Sequence, residues 1–321
     1  MEKISVVIPC YNSSKSVGNV IDRVIKTIED DGRYDYEIIC VNDYSPDNTF
    51  EVLSSIASDN KRVKVASLSK NFGQHSALMA GFHYVTGDMV LCLDDDGETP
   101  PENMFMLIDK LNEGYDLVSA KYPKTGRSFV RKWGSRFSMY MSEKLVDVPK
   151  NIELNSFYVF RRYIVEEILK YDNPYPFVHG LISQVTKSMA NVDMIRGKRI
   201  SGKSGYSLHR LTSLFMNGFT TFSAKPLWIA TYIGALSALG GFVASIVVII
   251  RKILDPGIAA GYTSMIALML LLFGILMCFM GLIGEYIGRI YISLNNIPQY
   301  VVKHKINIDD GIVNDEKDTD S

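Results

Sequence analysis

Cysteine is scarce: Cys10, Cys40, Cys92 and Cys278 are the only four in 321 residues, and none form a C-x-x-C pair. That spacing excludes a zinc knuckle or a disulfide framework and suits small buried hydrophobes in a reducing compartment. An excess of either charge is also missing. Lysine plus arginine number 34, aspartate plus glutamate 35, and no long basic tract or nucleic-acid motif occurs, so no nucleic-acid partner is expected. Neither G-x-G-x-x-G nor G-x-x-x-x-G-K-[ST] is present, which removes the usual dinucleotide and phosphate-loop devices. The five histidines form no H-x-x-x-H pair and are read as structural or surface residues. The opening MEKISVVIPCYN has too short an apolar run, and no cleavage site, for a signal peptide.

What is present is unevenly spread. Residues 227–250 and 258–284 carry no charge, and each run exceeds the ~20 residues a helix needs to cross a bilayer. The connection Arg251-Lys252-Ile253-Leu254-Asp255-Pro256-Gly257 is short, so a helical hairpin with both ends on one side is expected. Lys198, Arg199, Lys203, Arg210 and Lys225 precede the first run, and Arg289, Lys303 and Lys305 follow the second. This bias puts the N-terminal domain and the C-terminal tail in the cytoplasm, on a multi-pass protein of the plasma membrane. Tyr206, Leu208, Leu211, Leu214, Phe215, Phe219 and Phe222 recur at helical spacing and predict an interfacial amphipathic segment, with a domain-core helix as the alternative. Gly234, Ala235, Ala238, Gly240 and Gly241 permit close helix packing and hence a homo-oligomer. The expected domains are 1–200 (catalytic), 201–225 (interfacial), 226–290 (hairpin) and 291–321 (a cytoplasmic tail, partly disordered).

Upstream, short apolar runs alternate with amphipathic stretches. Strands are predicted at 4–8, 37–41, 63–68, 89–93 and 117–120, and helices at 17–29, 49–58, 75–85, 101–112 and 130–143. Continuous apolar strands alternating with helices indicate an α/β fold with a parallel, doubly wound sheet covered on both faces. Ligands bind such sheets beyond the carboxyl ends of the strands. There the sequence places Pro9-Cys10-Tyr11-Asn12, Asn42-Asp43-Tyr44-Ser45, Lys70-Asn71-Phe72-Gly73 and Asp94-Asp95-Asp96-Gly97-Glu98.

The last of these is the sharpest signal. Four carboxylates in five residues repel one another unless a cation neutralises them, and hard oxygen ligands favour Mg2+ or Mn2+ held together with substrate phosphates. Thr99-Pro100-Pro101-Glu102 reads as a capping box, with Thr99 as N-cap, Pro100 at N1 and Glu102 at N3. Asp43 could accept a hydrogen bond from a nucleobase or ribose, and Tyr11 could stack on a base.

These motifs, in this order, resemble family 2 glycosyltransferases with the GT-A (Rossmann-like, mostly parallel) fold. The chain is most similar to the polyisoprenyl-phosphate branch: dolichyl-phosphate mannose synthases, bactoprenol glucosyltransferases and undecaprenyl-phosphate aminoarabinose transferases. The resemblance extends through Gly202-Lys203-Ser204-Gly205-Tyr206-Ser207, His209-Arg210-Leu211 and Gly284-Glu285-Tyr286-Ile287-Gly288-Arg289. It implies an inverting transfer of one sugar from a nucleotide-diphosphate sugar, UDP by default, to polyprenyl phosphate. Pro9, Tyr11, Asp43, Asp94, Asp95 and Lys121 would bind the nucleotide sugar. Asp94, Asp96 and Glu98 would hold the metal, and Asp94, Asp96 and Arg131 would be catalytic. Arg131, Lys203 and Arg210 would bind the lipid phosphate. Asn42, Ser13 and Glu98 depart from the family's usual aspartate, glutamate and glutamine. An alkyl phosphate is largely dianionic at neutral pH and needs no general base, only cations to hold it beside an anionic donor. The competing readings are transfer to a sugar hydroxyl of a growing polysaccharide, and an inactive membrane scaffold.

Overall fold

The computed structural model describes residues 1–123, 148–150, 152–197, 261–294 and 297–308, with scattered positions between 232 and 254. The predicted helix at 130–143, the interfacial segment, most of the first uncharged run and the tail beyond 308 lie outside these residues. The chain divides into two compact units, Met1–Ser207 with Ile297–Ser321, and Leu208–Asn296.

The first unit begins as the sequence predicts. Strand β1 (Lys3–Cys10), α1 (Val17–Asp31), β2 (Asp35–Asn42), α2 (Thr49–Asp59), β3 (Val63–Leu68), α3 (Gln74–Phe82) and β4 (Met89–Cys92) alternate along the chain. A 3-10 turn (Pro101–Asn103) runs into α4 (Met104–Leu111), and β5 (Leu117–Lys121) follows. Next come β6 (Tyr158–Arg161), α5 (Arg162–Ile168), α6 (Val178–Val185) and β7 (Met189–Asp193). The sheet order is β7-β5-β6-β4-β1-β2-β3-β8, where β8 is Val302–Ile306. The pairs β1/β2, β1/β4, β2/β3 and β5/β7 are parallel. β4/β6, β5/β6 and β3/β8 are antiparallel, so the sheet is mixed and mostly parallel.

Alternation along β1 divides the core. Ile4, Val6, Ile8 and Cys10 face one layer with Val20, Ile21 and Val24 of α1, Leu53 of α2 and Leu107 and Ile108 of α4. Val7, with Ile39 and Val41, faces α3, and a methyl group at Gly81 would stand 2.6 Å from Val7 Cγ1. Glycine at 81 therefore lets α3 lie directly on the sheet. Cys10, Cys40 and Cys92 are buried thiols, as their strand positions imply.

The capping box does not form. Pro100 is extended, at φ −76° and ψ 107°, and no side chain caps the 3-10 turn. The cause is the Pro-Pro pair: a residue that precedes proline is pushed out of the helical region, so Pro100 cannot be helical. Glu102 instead makes a two-pronged ion pair with Arg23 of α1, at 2.7 Å on each side.

The chain after the second uncharged run holds a surprise. Residues 302–306, read as tail, form β8 on the outer edge of the catalytic sheet against β3. Gln299 Nε2 donates to the Asn173 carbonyl at 2.9 Å before the strand. Asn307 Nδ2 donates to the carbonyls of Ala57, at 2.6 Å, and Val63, at 2.8 Å, after it.

In the second unit, α7 (Tyr262–Leu294) spans 33 residues, about 50 Å at 1.5 Å per residue. Large apolar side chains are exposed along its length, among them Leu268, Phe273, Met277, Met280 and Ile287. A methyl group at Gly234 would stand 3.7 Å from the Phe279 ring, so the two uncharged runs touch there. Among the described residues, no helix is long and apolar enough to cross a membrane.

Candidate active site

Strand order reverses around β1, whose neighbours are β2 and β4. The β1/β4 ladder ends where Val7 meets Cys92, whereas β1 continues beside β2 to Cys10. Pro9, which has no N–H to give, therefore sits where β4 has stopped. This reversal of strand order is a topological switch point, where a ligand crevice is expected.

The loops that rim the crevice are tied together. The Tyr11 amide donates to Asp95 Oδ2 at 3.0 Å, bridging the ends of β1 and β4. The Asn12 amide donates to Ser45 Oγ at 3.1 Å and the Ser14 amide to Asp47 Oδ2 at 3.1 Å, fastening the β1 loop to the β2 loop. Asn12 and Tyr44 both adopt positive φ, 56° and 54°. Such strain in non-glycine residues persists only where the surroundings enforce it. It leaves two aromatic rings, Tyr11 and Tyr44, 45% and 55% exposed beside the crevice.

Asp43 is buried, with Oδ1 accepting the Phe72 amide and Oδ2 the Gly73 amide, both at 2.8 Å. Burial raises its pKa against the pull of these two amides. Its visible work is to hold the β3–α3 loop, with its other lone pairs still able to accept from a nucleotide. The neighbouring departure at position 42 has a structural reason. Asn42 donates from Nδ2 to Ser67 Oγ at 2.9 Å while Oδ1 accepts the Ser45 amide at 3.2 Å. An aspartate would hold the same place only as an acceptor, with the Ser67 hydroxyl turned to donate.

On the acidic loop each carboxylate has a distinct position. Asp94 accepts from Gln74 Nε2 at 3.1 Å and from the Ser156 hydroxyl. Its pKa is raised by burial, which the Ser156 bond opposes and the nearby Asp96 charge reinforces. Asp95, pushed up to about 6 by burial, faces back toward β1 and fixes Tyr11. Asp96 Oδ1 accepts the Glu98 amide at 2.9 Å, closing a turn at Gly97, whose φ is 77°. Glu98 is ion-paired with Arg196 at 3.3 Å. Lys121 ends β5 beside Asp193 of β7. Arg131, Lys203 and Arg210 lie outside the described residues. The structure thus places Pro9, Tyr11, Asp43 and the 94–98 loop at the carboxyl ends of the adjacent strands β1, β2 and β4. It adds Gln74, Ser156 and Arg196, which sequence reasoning did not assign; Ser156 and Arg196 reach the loop from 62 and 98 residues away, and no local pattern marks such contacts.

Among the described residues, no three His, Cys, Asp or Glu side chains are grouped to hold a metal ion. The chemistry of the pair Asp94 and Asp96 nonetheless fits a hard divalent ion. Mg2+ commonly binds through one or two carboxylates and completes its shell with substrate phosphates. Burial and the Asp96 charge both raise Asp94, and such a cation would offset both.

A sheet whose order reverses at β1, with an acidic turn and two exposed tyrosines beyond it, fits a nucleotide-sugar glycosyltransferase of GT-A architecture. Comparison with known proteins makes the assignment definite. Residues 5–169 match the family described as Glycosyl transferase family 2, and residues 225–290 match the GtrB C-terminal hairpin. The chain belongs to glycosyl transferase family 2. It is 33% identical over 306 residues to the uncharacterized glycosyltransferase YkcC of Bacillus subtilis (strain 168), covering 95% of this chain and 94% of that one. Among solved structures it resembles glucosyl-3-phosphoglycerate synthase from Mycobacterium tuberculosis in complex with Mn2+, UDP-glucose and phosphoglyceric acid. That likeness has a TM-score of 0.52 at 20% identity, covers 69% of this chain and 78% of the other, and concerns the fold.

Proposed function

We propose that this glycosyltransferase moves a single sugar from a nucleotide-diphosphate sugar, with UDP the default, to polyprenyl (undecaprenyl) phosphate with inversion at the anomeric carbon. The observation that carries the reading is the coupling of a donor crevice to a GtrB-type C-terminal hairpin in one chain. The two uncharged runs of the sequence support a plasma-membrane hairpin. The basic residues on either side of it support a cytoplasmic catalytic domain and tail.

In this reading Tyr11 and Tyr44 flank the base, and Asp43 keeps the β3–α3 loop in place. Asp94 and Asp96 would hold Mg2+ or Mn2+ with the diphosphate, in keeping with the Mn2+ and UDP-glucose bound by the mycobacterial synthase. The ion would supply charge neutralisation as the nucleoside diphosphate departs. Gln74 and Ser156 orient Asp94. Lys121 and Arg131 would steer the donor phosphates, and Arg131, Lys203 and Arg210 would grip the lipid phosphate. That phosphate is already a dianion at neutral pH, so no general base is required.

The test is donor-dependent glycolipid formation. The detergent-purified full chain is incubated with undecaprenyl phosphate, Mn2+ or Mg2+ and a panel of UDP- and GDP-sugars, and the lipid fraction is weighed by mass spectrometry. A gain of one sugar with one donor is expected. Absence of any glycolipid, with transfer to an added oligosaccharide instead, would reject the lipid acceptor in favour of a sugar hydroxyl.

A further inference from the structure

Glu98 adds a charge where related transferases carry glutamine, and the structure shows what answers it. The strap at 194–197 lies across the acidic loop. The Met194 amide donates to the Lys121 carbonyl at 2.8 Å and the Gly197 amide to the Glu98 carbonyl at 2.9 Å. The approach is close: a methyl group at Gly197 would stand 3.2 Å from the Gly97 carbonyl oxygen and 3.3 Å from that of Glu98. Between these two anchors stands Arg196. Its Nη1 is 3.3 Å from Glu98 Oε2, and its guanidinium carbon lies 4.6 Å from the centre of the Tyr122 ring.

This arrangement holds a cation beside the metal-binding carboxylates without using up its donors. A guanidinium has five N–H groups. Among the described residues, Arg196 spends one of them, on a contact longer than a typical charge-assisted bond. The side chain is 55% exposed, so the remaining donors are open to a ligand. Its charge also reaches Asp94, whose carboxylate it stabilises. A planar fork held by a carboxylate on one side and an aromatic ring beneath suits bidentate recognition of phosphate.

We propose that Arg196 is a diphosphate-binding residue of the donor site, and that Glu98 serves as its holder rather than as a ligand of the metal. The proposal rests on the reading of the crevice as a nucleotide-sugar site. The carboxylate at 98 gives the arginine an ion-pair partner that a glutamine would not.

The experiment separates nucleotide from metal. The full chain in detergent is titrated with UDP, GDP, CDP and ADP in saturating MnCl2 by calorimetry, and with Mn2+ alone by electron paramagnetic resonance. Arg196→Ala is expected to weaken the best nucleoside diphosphate about tenfold or more, the scale of one charge-assisted phosphate contact. Arg196→Lys should recover part of that loss. Both should bind Mn2+ alone like the wild type and unfold at the same temperature. Glu98→Ala should weaken the diphosphate in the same direction and leave Mn2+ alone within about threefold, because a holder acts through charge and geometry rather than coordination. Undiminished diphosphate binding by Arg196→Ala would overturn the proposal. So would a loss of Mn2+ affinity in Glu98→Ala larger than its loss of diphosphate affinity, which would make Glu98 a ligand. A wild type that binds none of the four diphosphates would remove the nucleotide-sugar site itself, and this proposal with it.

Discussion

Two carboxylates of the same sheet show what its two ends are for. Glu37, near the start of β2, is 2% exposed and fully engaged. Its Oε1 accepts from Ser5 Oγ and the Thr86 amide, both at 2.6 Å, and its Oε2 from Lys64 at 2.7 Å and Lys3 at 3.1 Å. Burial alone would raise its pKa, but Lys64, Ser5 and the Thr86 amide hold it to about 2. Asp94, just past the end of β4, is half-buried, and its pKa is raised by burial and by the Asp96 charge against the pull of Ser156, Gln74 and Arg196. At the amino end of the sheet a buried charge is neutralised by the protein. At the carboxyl end burial and a neighbouring carboxylate push the other way and raise the pKa. Perturbation of that second kind, in a crevice, marks a functional site.

The contrast can be broken from either side. The largest effect is expected at the carboxyl end. Asp96→Asn keeps an oxygen for the Glu98 amide, so the turn at Gly97 should survive and thermal unfolding should be unchanged. Transfer should nevertheless fall by about 10^3-fold, the scale of losing one preorganised electrostatic contact. Steady-state rates and a melting curve on one preparation check both halves.

At the amino end the outcome should be reversed. Glu37→Gln strands Lys3 and Lys64 and should cost on the order of 3 kcal/mol of stability, as for a broken buried ion pair. The folded fraction should keep its turnover number. A urea titration beside an activity assay reads this, and a stable but inactive variant would contradict the assignment.

The pH dependence sharpens the same point. The Glu37 pKa is depressed on folding, so its contribution is complete above the unfolded value of about 4.5 and fades as pH falls toward about 2. The stability gap between wild type and Glu37→Gln should therefore be constant from pH 7 to 5 and narrow between pH 4.5 and 2. A gap that grows on acidification would mean that the carboxylate is not held by its lysines.

The smallest effects belong to groups that only orient others. Ser156→Ala removes one hydrogen bond from Asp94 and should raise the Mn2+ concentration needed for half-maximal rate by about tenfold, the lower end of the ~1.5–3 kcal/mol of a bond to a charged group. Tyr44→Ala should raise the donor KM by about fivefold, the lower end of the ~1–3 kcal/mol that one stacking face is worth.

Much of this was legible in the sequence, and the parts that were not have physical reasons. Strand β3 runs over the predicted 63–68, and β1, β2, β4, α1 and α2 differ only at their ends, because continuous apolar runs and amphipathic periods are local signals. Tyr158–Arg161 is too short to show a period. Val302–Ile306 carries Lys303, His304 and Lys305, and reads as polar tail until β3 is seen to pair with it. Such charge is common on edge strands, where it discourages further pairing. The capping box failed because the prolines that suggested it also forbid it. At the site, the acidic turn announced itself, whereas Ser156 and Arg196 arrive from distant segments and were invisible.

The most direct measurement is a crystal structure of the full chain with Mn2+ and UDP. The account predicts one metal ion bonded to Asp94 and Asp96 at about 2.1–2.2 Å, with the diphosphate completing its shell and the base between Tyr11 and Tyr44. A metal coordinated elsewhere, or a nucleotide bound away from the β1/β4 split, would contradict it.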